Sequence, residues 1–411
     1  MDEDFEILTL KNGIRVIHKH VTHTKVAHVG FILDVGSRDE HREQQGLAHF
    51  WEHMAFKGTK NRKSFHVINR LEVLGGELNA YTTKEKICFY ASLLDVHYDK
   101  AFELLQDITF NSIFPSKEIE KERTVILEEM SMYEDTPEEA IQDSFENIVF
   151  GDHPLGYNIL GTEDTVKSFK RSHFNKFVRE NFDTSRLIVS SVGNIPFSKV
   201  KALAERYLSN IPTIQSRHKR VLFKKYAPRI EEKKRPIHQA HCMMGAPAYG
   251  LMDDKRIPFY MLVNLLGGPG MNSRLNLSLR ERHGYVYSVE ASYNAFVDVG
   301  LFSIYFGTEQ KHLEKSRSLV MKELKKLREV PLGAIQLHGC KEQIMGQLAM
   351  SEENKVSFMQ MMGKSVLDLG EVQSLESIFK KIKSVNARQL RQIANEIFRE
   401  DEFSELTYLP E

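Results

Sequence analysis

At 411 residues the chain is too long for one ordinary hydrophobic core, and its length points to two or three domains. A formal net charge of zero argues against nucleic acid or an anionic membrane as an obligate partner, and no apolar run approaches the roughly 18 residues that span a bilayer. Cys88, Cys242 and Cys340 are few and scattered, which fits a reducing compartment and excludes both a disulfide framework and a cysteine zinc site.

The N-terminus, Met1-Asp2-Glu3-Asp4-Phe5, is acidic. It has neither the apolar stretch of a signal peptide nor the arginines of a transit peptide, so the expected location is the cytoplasm. A hairpin follows, Phe5 to Leu10 and Ile14 to His18 around an Asn12-Gly13 turn, and then a strand from Val26 to Val35. Next comes the densest chemistry of the chain, His49-Phe50-Trp51-Glu52-His53. On a helix, positions four apart stack on one face, so both imidazoles reach one point, and Glu52 lies beside that face. Neutral imidazoles are zinc ligands, and a catalytic zinc keeps three protein ligands and leaves one position to water. A carboxylate next to that water can take its proton. The pattern H-x-x-E-H is the inverted zincin motif. The plain alternative is a core helix, since Leu47, Phe50, Trp51, Met54 and Phe56 are apolar and a core can hold two satisfied histidines. A third ligand decides between them.

Phe65 to Leu74 reads as a helix ended by Gly75-Gly76, followed by strands Glu77 to Thr83 and Ile87 to Leu94 and a helix Tyr98 to Phe110. Ser116 to Glu134, opened by Pro115-Ser116, is a strong helix on which Ile119, Glu122, Ile126, Glu129 and Tyr133 share a stripe. Carboxylates on a partly apolar stripe need a partner, and a metal is one. Glu128 points about a hundred degrees away and Glu134 sits at the fraying end. The spacing favours Glu129 or Glu122 without choosing. The first half closes with helices and an apolar strand, Leu187 to Val192.

Arg217 to Arg235 is charged but is interrupted by Glu231-Glu232, and its two aromatics, Phe223 and Tyr226, do not alternate with the charges as a stacking surface would. It reads as an exposed linker rather than a nucleic-acid patch. Much of the earlier order then recurs: strand His238 to Ala246, helix Pro258 to Leu266, strands Tyr285 to Tyr293 and Gly300 to Gly307, helices His312 to Arg328 and Leu337 to Met350, and strand Leu406 to Leu409. Helix-then-strand closures at Phe174 to Val192 and Leu390 to Leu409 are alike in plan. The class is α+β, two similar α/β sandwiches from an internal duplication: residues 1–215 with the metal site, linker 216–235, and 236–411 without H-x-x-E-H. At most one zinc site per chain is expected. Gly267-Gly268-Pro269-Gly270 lacks the ending of a phosphate loop and reads as a turn. His18, His20, His23, His28 and His41 have no helical ligand spacing.

The run Gly46 to Thr59, Gly-Leu-Ala-His-Phe-Trp-Glu-His-Met-Ala-Phe-Lys-Gly-Thr, resembles the zinc-helix signature of the pitrilysin/insulinase family of metallopeptidases, and most nearly the branch of the mitochondrial processing peptidase. Trp51 departs from it where an aliphatic residue is usual, which touches packing and not ligation. The resemblance places the third ligand about 75 residues after the second histidine. Glu129 lies 76 residues after His53, which selects it over Glu122. It gives Glu122 an outer role, orienting a ligand. Leu78-Asn79-Ala80-Tyr81-Thr82 resembles the family's substrate-pairing strand, and His153 to Gly161 a segment typical of the branch. Arg280 and Tyr287 match the family's arginine and tyrosine seven apart.

The resemblance implies a zinc endopeptidase with one Zn²⁺ per chain on His49, His53 and Glu129. Glu52 is then the general base, and Arg280 and Tyr287 are donors to the oxyanion. The peptide lies extended on Leu78 to Thr82. It further implies that the chain forms one half of a clamshell around a chamber. A homodimer is then expected, with Arg280 and Tyr287 acting across the interface. The competing classes are a non-catalytic assembly subunit, which the intact His49, Glu52, His53 and Glu129 oppose, and a metal hydrolase of non-peptide substrates, which the strand and the Arg/Tyr pair oppose.

Overall fold

The computed structural model describes residues 5–216 and 218–411. Met1 to Asp4, on which the leader argument rests, and Arg217 at the head of the charged segment lie outside the described residues. The chain forms two compact units. The first comprises Met1–Met130, Tyr157–Arg220 and Met350–Gln373, and the second Ser131–Gly156, Val221–Ala349 and Ser374–Glu411.

In the first unit, β1 (Glu6–Thr9), β2 (Arg15–His20), β3 (Val26–Leu33), β4 (Glu77–Thr82), β5 (Ile87–Leu94) and β6 (Leu187–Gly193) form a mixed sheet. Its order is β1-β2-β6-β3-β5-β4. The β2–β6 pair is parallel and the others antiparallel. Successive side chains of a strand face opposite ways. Accordingly Val29, Phe31 and Leu33 of β3 enter the main core with Val189 of β6, while Ile32 and Ile188 enter a second cluster on the other face. A sheet apolar on both faces must be covered twice. The main core is completed by α1 (Leu47–Ala55), α2 (Ser64–Glu72), α3 (Tyr98–Phe110) and α4 (Ser116–Glu134). The second face is covered by the helix Lys355–Leu369 through Phe358, Met359, Met362 and Val366. Burying side chains of this size contributes roughly 1.5–3 kcal/mol each.

The second unit repeats the plan with β7 (Ile230–Arg235), β8 (Ala240–Ala248), β9 (Val286–Ala295), β10 (Gly300–Thr308) and β11 (Ser404–Pro410) in the order β7-β11-β8-β10-β9. One face carries the larger core, with Phe259, Leu262, Phe302 and Ile304. The other is covered by α5 (Pro137–Phe150), whose Ile141 and Phe145 pack with Leu301, Leu406 and Tyr408. Tyr408 Oη donates to Ser144 Oγ at 2.8 Å.

Two similar α/β units are what the sequence predicts, but compactness divides the chain otherwise than at 1–215 and 236–411. Ser131–Gly156 lies with the second unit and Met350–Gln373 with the first, because each two-faced sheet takes its outer helix from the other half of the chain. The expected linker is also partly ordered structure. Arg220 binds Asp39 and Asp34 at 2.8–3.0 Å, and Ile230–Arg235 is strand β7, paired in parallel with β11. Charge on both faces of an edge strand discourages pairing with other chains, and it also hides the strand from a hydrophobic pattern. No helix among the described residues is long and apolar enough to cross a membrane.

Candidate metal centre

Helix α1 starts at a place only glycine fits. Gly46 has φ +92°, and a Cβ there would lie 2.4 Å from the Leu160 carbonyl oxygen. The first turn has free N–H groups, and the buried Glu40 carboxylate accepts two of them, from Gly46 at 3.0 Å and Ala48 at 2.6 Å. Phe50, Trp51 and Met54 are buried in the main core, which fixes the rotation of the helix. His49, Glu52 and His53 lie on another side, and the two imidazole centroids are 4.5 Å apart.

Helix α4 behaves as its stripe predicts. Ile119 and Ile126 are buried in the core and Glu122 is buried beside them, whereas Glu128 and Glu134 are exposed. Glu129 meets the α1 histidines, with its carboxylate 3.8 Å from His49 Nε2 and 3.6 Å from His53 Nε2. These separations exceed hydrogen-bond range. Ligand atoms of His49, His53 and Glu129 lie within 4.8 Å of one another. Two imidazole nitrogens and a carboxylate at such spacing suit one Zn²⁺ with bonds of about 2.0–2.2 Å. His53 Nδ1 is 3.0 Å from Glu122 Oε1. A carboxylate only accepts, so Nδ1 carries the proton and the Nε2 lone pair is left on the Glu129 side. Lys57 holds the other Glu122 oxygen at 2.6 Å.

The charges are poorly balanced without a cation. Burial, helped by the His53 charge, lowers the His49 pKa to about 3, so this imidazole stays neutral and its lone pair stays available. Burial also works against charge on His53, but the hydrogen bond to Glu122 and the charges of Glu52, Glu129 and Glu122 outweigh it and raise its pKa. Burial raises the pKa of Glu52 against the opposing hydrogen bond from Thr82, and burial raises that of Glu129. For Glu122, burial is outweighed by His53 and Lys57, and its pKa falls.

Strand β4 is an edge of its sheet, paired with β5 alone. Leu78 and Ala80 pack on the main core, and Tyr81 turns the other way, with Lys364 Nζ 4.7 Å from its ring centroid. The Tyr81 side chain is thereby committed to packing, and Leu78 to Thr82 offer mainly backbone. Arg280 and Tyr287 belong to the second unit. Arg280 lies on a widened helical segment, Asn276–Arg282, with its guanidinium 5.7 Å from the centroid of the Tyr287 ring. Tyr287 is 84% exposed. The pair and the Gly267–Gly270 turn line a cavity of about 640 Å³ together with Glu138 and Glu139.

Three contacts lie beyond the sequence reading: Glu40 on the α1 terminus, Lys57 on Glu122, and the Thr82 hydroxyl on Glu52. Only Lys57, four residues after His53, had a spacing signal.

Residues 15–163 match Insulinase (Peptidase family M16), and residues 168–344 match the Peptidase M16 inactive domain. An uncharacterized zinc protease of Bacillus subtilis is 32% identical over 395 residues, covering 96% of this chain and 95% of that one. An uncharacterized zinc protease of Rickettsia bellii is 32% identical over 398 residues, covering 97% and 96%. A crystal structure of a protease from Helicobacter pylori superposes with a TM-score of 0.91 at 21% identity, over 99% of this chain and all of that one, and so shares the fold. Fold and sequence together define a peptidase of the two-unit α/β type. The chain belongs to the insulinase family, peptidase family M16.

Proposed function

We propose that the chain is a zinc-dependent endopeptidase that cleaves extended peptides or unfolded segments. The observation that carries this reading is the convergence of His49, His53 and Glu129 beside a buried, hydrogen-bonded Glu52. Its relatives in Bacillus subtilis and Rickettsia bellii carry the name zinc protease, which supports zinc as the ion. His49 Nε2, His53 Nε2 and Glu129 would hold it, with Glu122 and Lys57 fixing the His53 ring. Bound there, Zn²⁺ supplies Lewis acidity, which acidifies a water molecule and polarises the scissile carbonyl. Glu52 takes the proton of the attacking water and returns it to the leaving amine. The free edge of β4 takes up peptide backbone, so recognition rests on main-chain hydrogen bonds with little sequence reading. Arg280 and Tyr287 donate to the oxyanion. Both sets of residues occur in one chain, which favours a homodimer whose Arg280 and Tyr287 serve the partner's metal site, acting in the cytoplasm on peptide. The test is incubation of the purified chain with a mixed peptide library, with and without chelator. Chelator-sensitive internal cleavage is expected. A zinc-loaded chain that cleaves nothing in the library overturns the reading.

A further inference from the structure

The Glu52 carboxylate is buried, so the direction in which its two oxygens point is set by its neighbours. The Thr82 hydroxyl donates to Oε2 at 2.7 Å. Thr82 is the last residue of β4 and shares the face of Leu78 and Ala80, the face that packs toward the core with α1. Its position is clamped from both sides. It pairs with Ile87 of β5, and the turn beyond it is closed by Thr83 N to Lys86 O at 2.8 Å. That turn in turn holds the loop before α1, by Ser37 N to Thr83 O at 3.2 Å and Arg38 N to Lys84 O at 2.8 Å. Gly36 permits the approach, since a Cβ there would lie 2.3 Å from the Thr83 oxygen. A hydroxyl on so fixed a backbone is a preorganised donor, and one oxygen of Glu52 is thereby occupied while the other is left for proton transfer.

We propose that Thr82 is the positioning residue of the general base: it fixes Oε2 of Glu52, leaves Oε1 to take the proton, and places base alignment and peptide docking on one strand. The inference rests on the endopeptidase reading and adds a residue that touches neither metal nor scissile bond. Its consequence is a separation of effects. The β4 backbone sets substrate affinity, whereas the Thr82 side chain sets turnover.

The experiment compares full-length wild type, Thr82→Val, Thr82→Ser, Glu52→Asp and the double variant Thr82→Val with Glu52→Asp, each zinc-loaded, on an internally quenched peptide. Thr82→Val keeps shape and removes the donor, and should lower kcat by roughly tenfold to hundredfold, as outer-shell losses do, with KM within about twofold and zinc content unchanged. Thr82→Ser restores the donor and should recover most of the turnover. In the Glu52→Asp background the carboxylate is one methylene shorter, which should carry it beyond hydrogen-bond range of the hydroxyl, so Thr82→Val should add little. If the valine chain fails to fold, Thr82→Ala gives the same contrast with serine. The inference is overturned if Thr82→Val turns over like wild type, if it raises KM with kcat unchanged, if serine is no better than valine, or if the valine effect is the same in the aspartate background. A wild-type chain without chelator-sensitive cleavage overturns the endopeptidase reading itself, and this inference with it.

Discussion

The two units solve one packing problem with nearly the same elements, yet among the described residues only the first brings together side chains that could hold a metal ion. In each, a helix lies in the chain between the first core strand and the next edge strand: α1 between β3 and β4, and Arg256–Gly267 between β8 and β9. On Arg256–Gly267 the buried positions include Phe259, Met261, Leu262, Val263 and Leu266, with Asn264 as the buried amide. On α1 the core positions are equally apolar, but a second stripe carries His49, Glu52 and His53. The fold tolerates either face, so the chemistry resides in a few side chains and not in the architecture. The first unit bears the electrostatic load of that choice, since burial works against charge on Glu52 and Glu129.

The sharpest way to break this comparison is to remove the proposed base from the first unit without removing a proposed ligand. Glu52→Gln should lower peptide cleavage by at least about a hundredfold, the lower range of general-base contributions, while zinc content measured after dialysis stays at wild-type level. Near-normal turnover would return the first unit to the status of the second.

Metal retention comes next. Glu129 faces both Nε2 atoms, and Glu128 is exposed. Glu129→Gln should weaken zinc retention by more than the roughly tenfold to hundredfold expected from losing an outer partner such as Glu122. Glu128→Gln should leave it unchanged. Metal analysis after dialysis that showed the reverse would mean that the helix presents a different register in solution.

This order of effects follows how the site was legible. A period of 3.6 residues put His49 with His53 and Glu122 with Glu129, because contacts within a helix are local. The choice between the two glutamates joins different helices, and only the family count supplied it. Thr82 on Glu52 spans 30 residues and Glu40 on Ala48 crosses from a loop, so no spacing could announce them. The same limit hid the exchange of outer helices. Helical periodicity is a local property, so it cannot say which sheet Pro137–Phe150 or Lys355–Leu369 covers. Strand β7, with Glu232, Lys233 and Lys234 exposed along it, has no apolar face to detect.

A complementation experiment sharpens the comparison by asking whether the second unit contributes to a site on another copy. Glu52→Gln and Tyr287→Phe chains, each inactive alone, should recover activity when mixed after subunit exchange. At most about half of random dimers are hybrids with one intact site, so about a quarter of wild-type activity is the ceiling. No recovery despite proven exchange would place Tyr287 in the service of its own chain, or outside catalysis.

The smallest effect expected at neutral pH concerns two buried histidines, one in each unit. His18 of β2 lies 2.7 Å from the Ile195 oxygen through Nε2 and 3.0 Å from Ser191 Oγ through Nδ1, and Tyr98 donates to that serine at 2.7 Å. His241 of β8 meets the Tyr305 hydroxyl at 2.8 Å. Burial lowers both pKa values, His18 to about 4. The folded chain therefore prefers neutral His18, whereas the unfolded chain takes up a proton near pH 6.5. This contribution to stability is whole above pH 6.5 and is lost as pH falls toward 4, up to about 3 kcal/mol in all. Urea unfolding of the first unit at about pH 7 and about pH 5 should show part of that loss in wild type. His18→Gln should be less stable at the higher pH, because its hydrogen bonds are disturbed, yet it should change less between the two. Equal pH dependence in wild type and His18→Gln would mean that other groups govern acid lability, and a larger change on His241→Gln would assign it to the second unit instead.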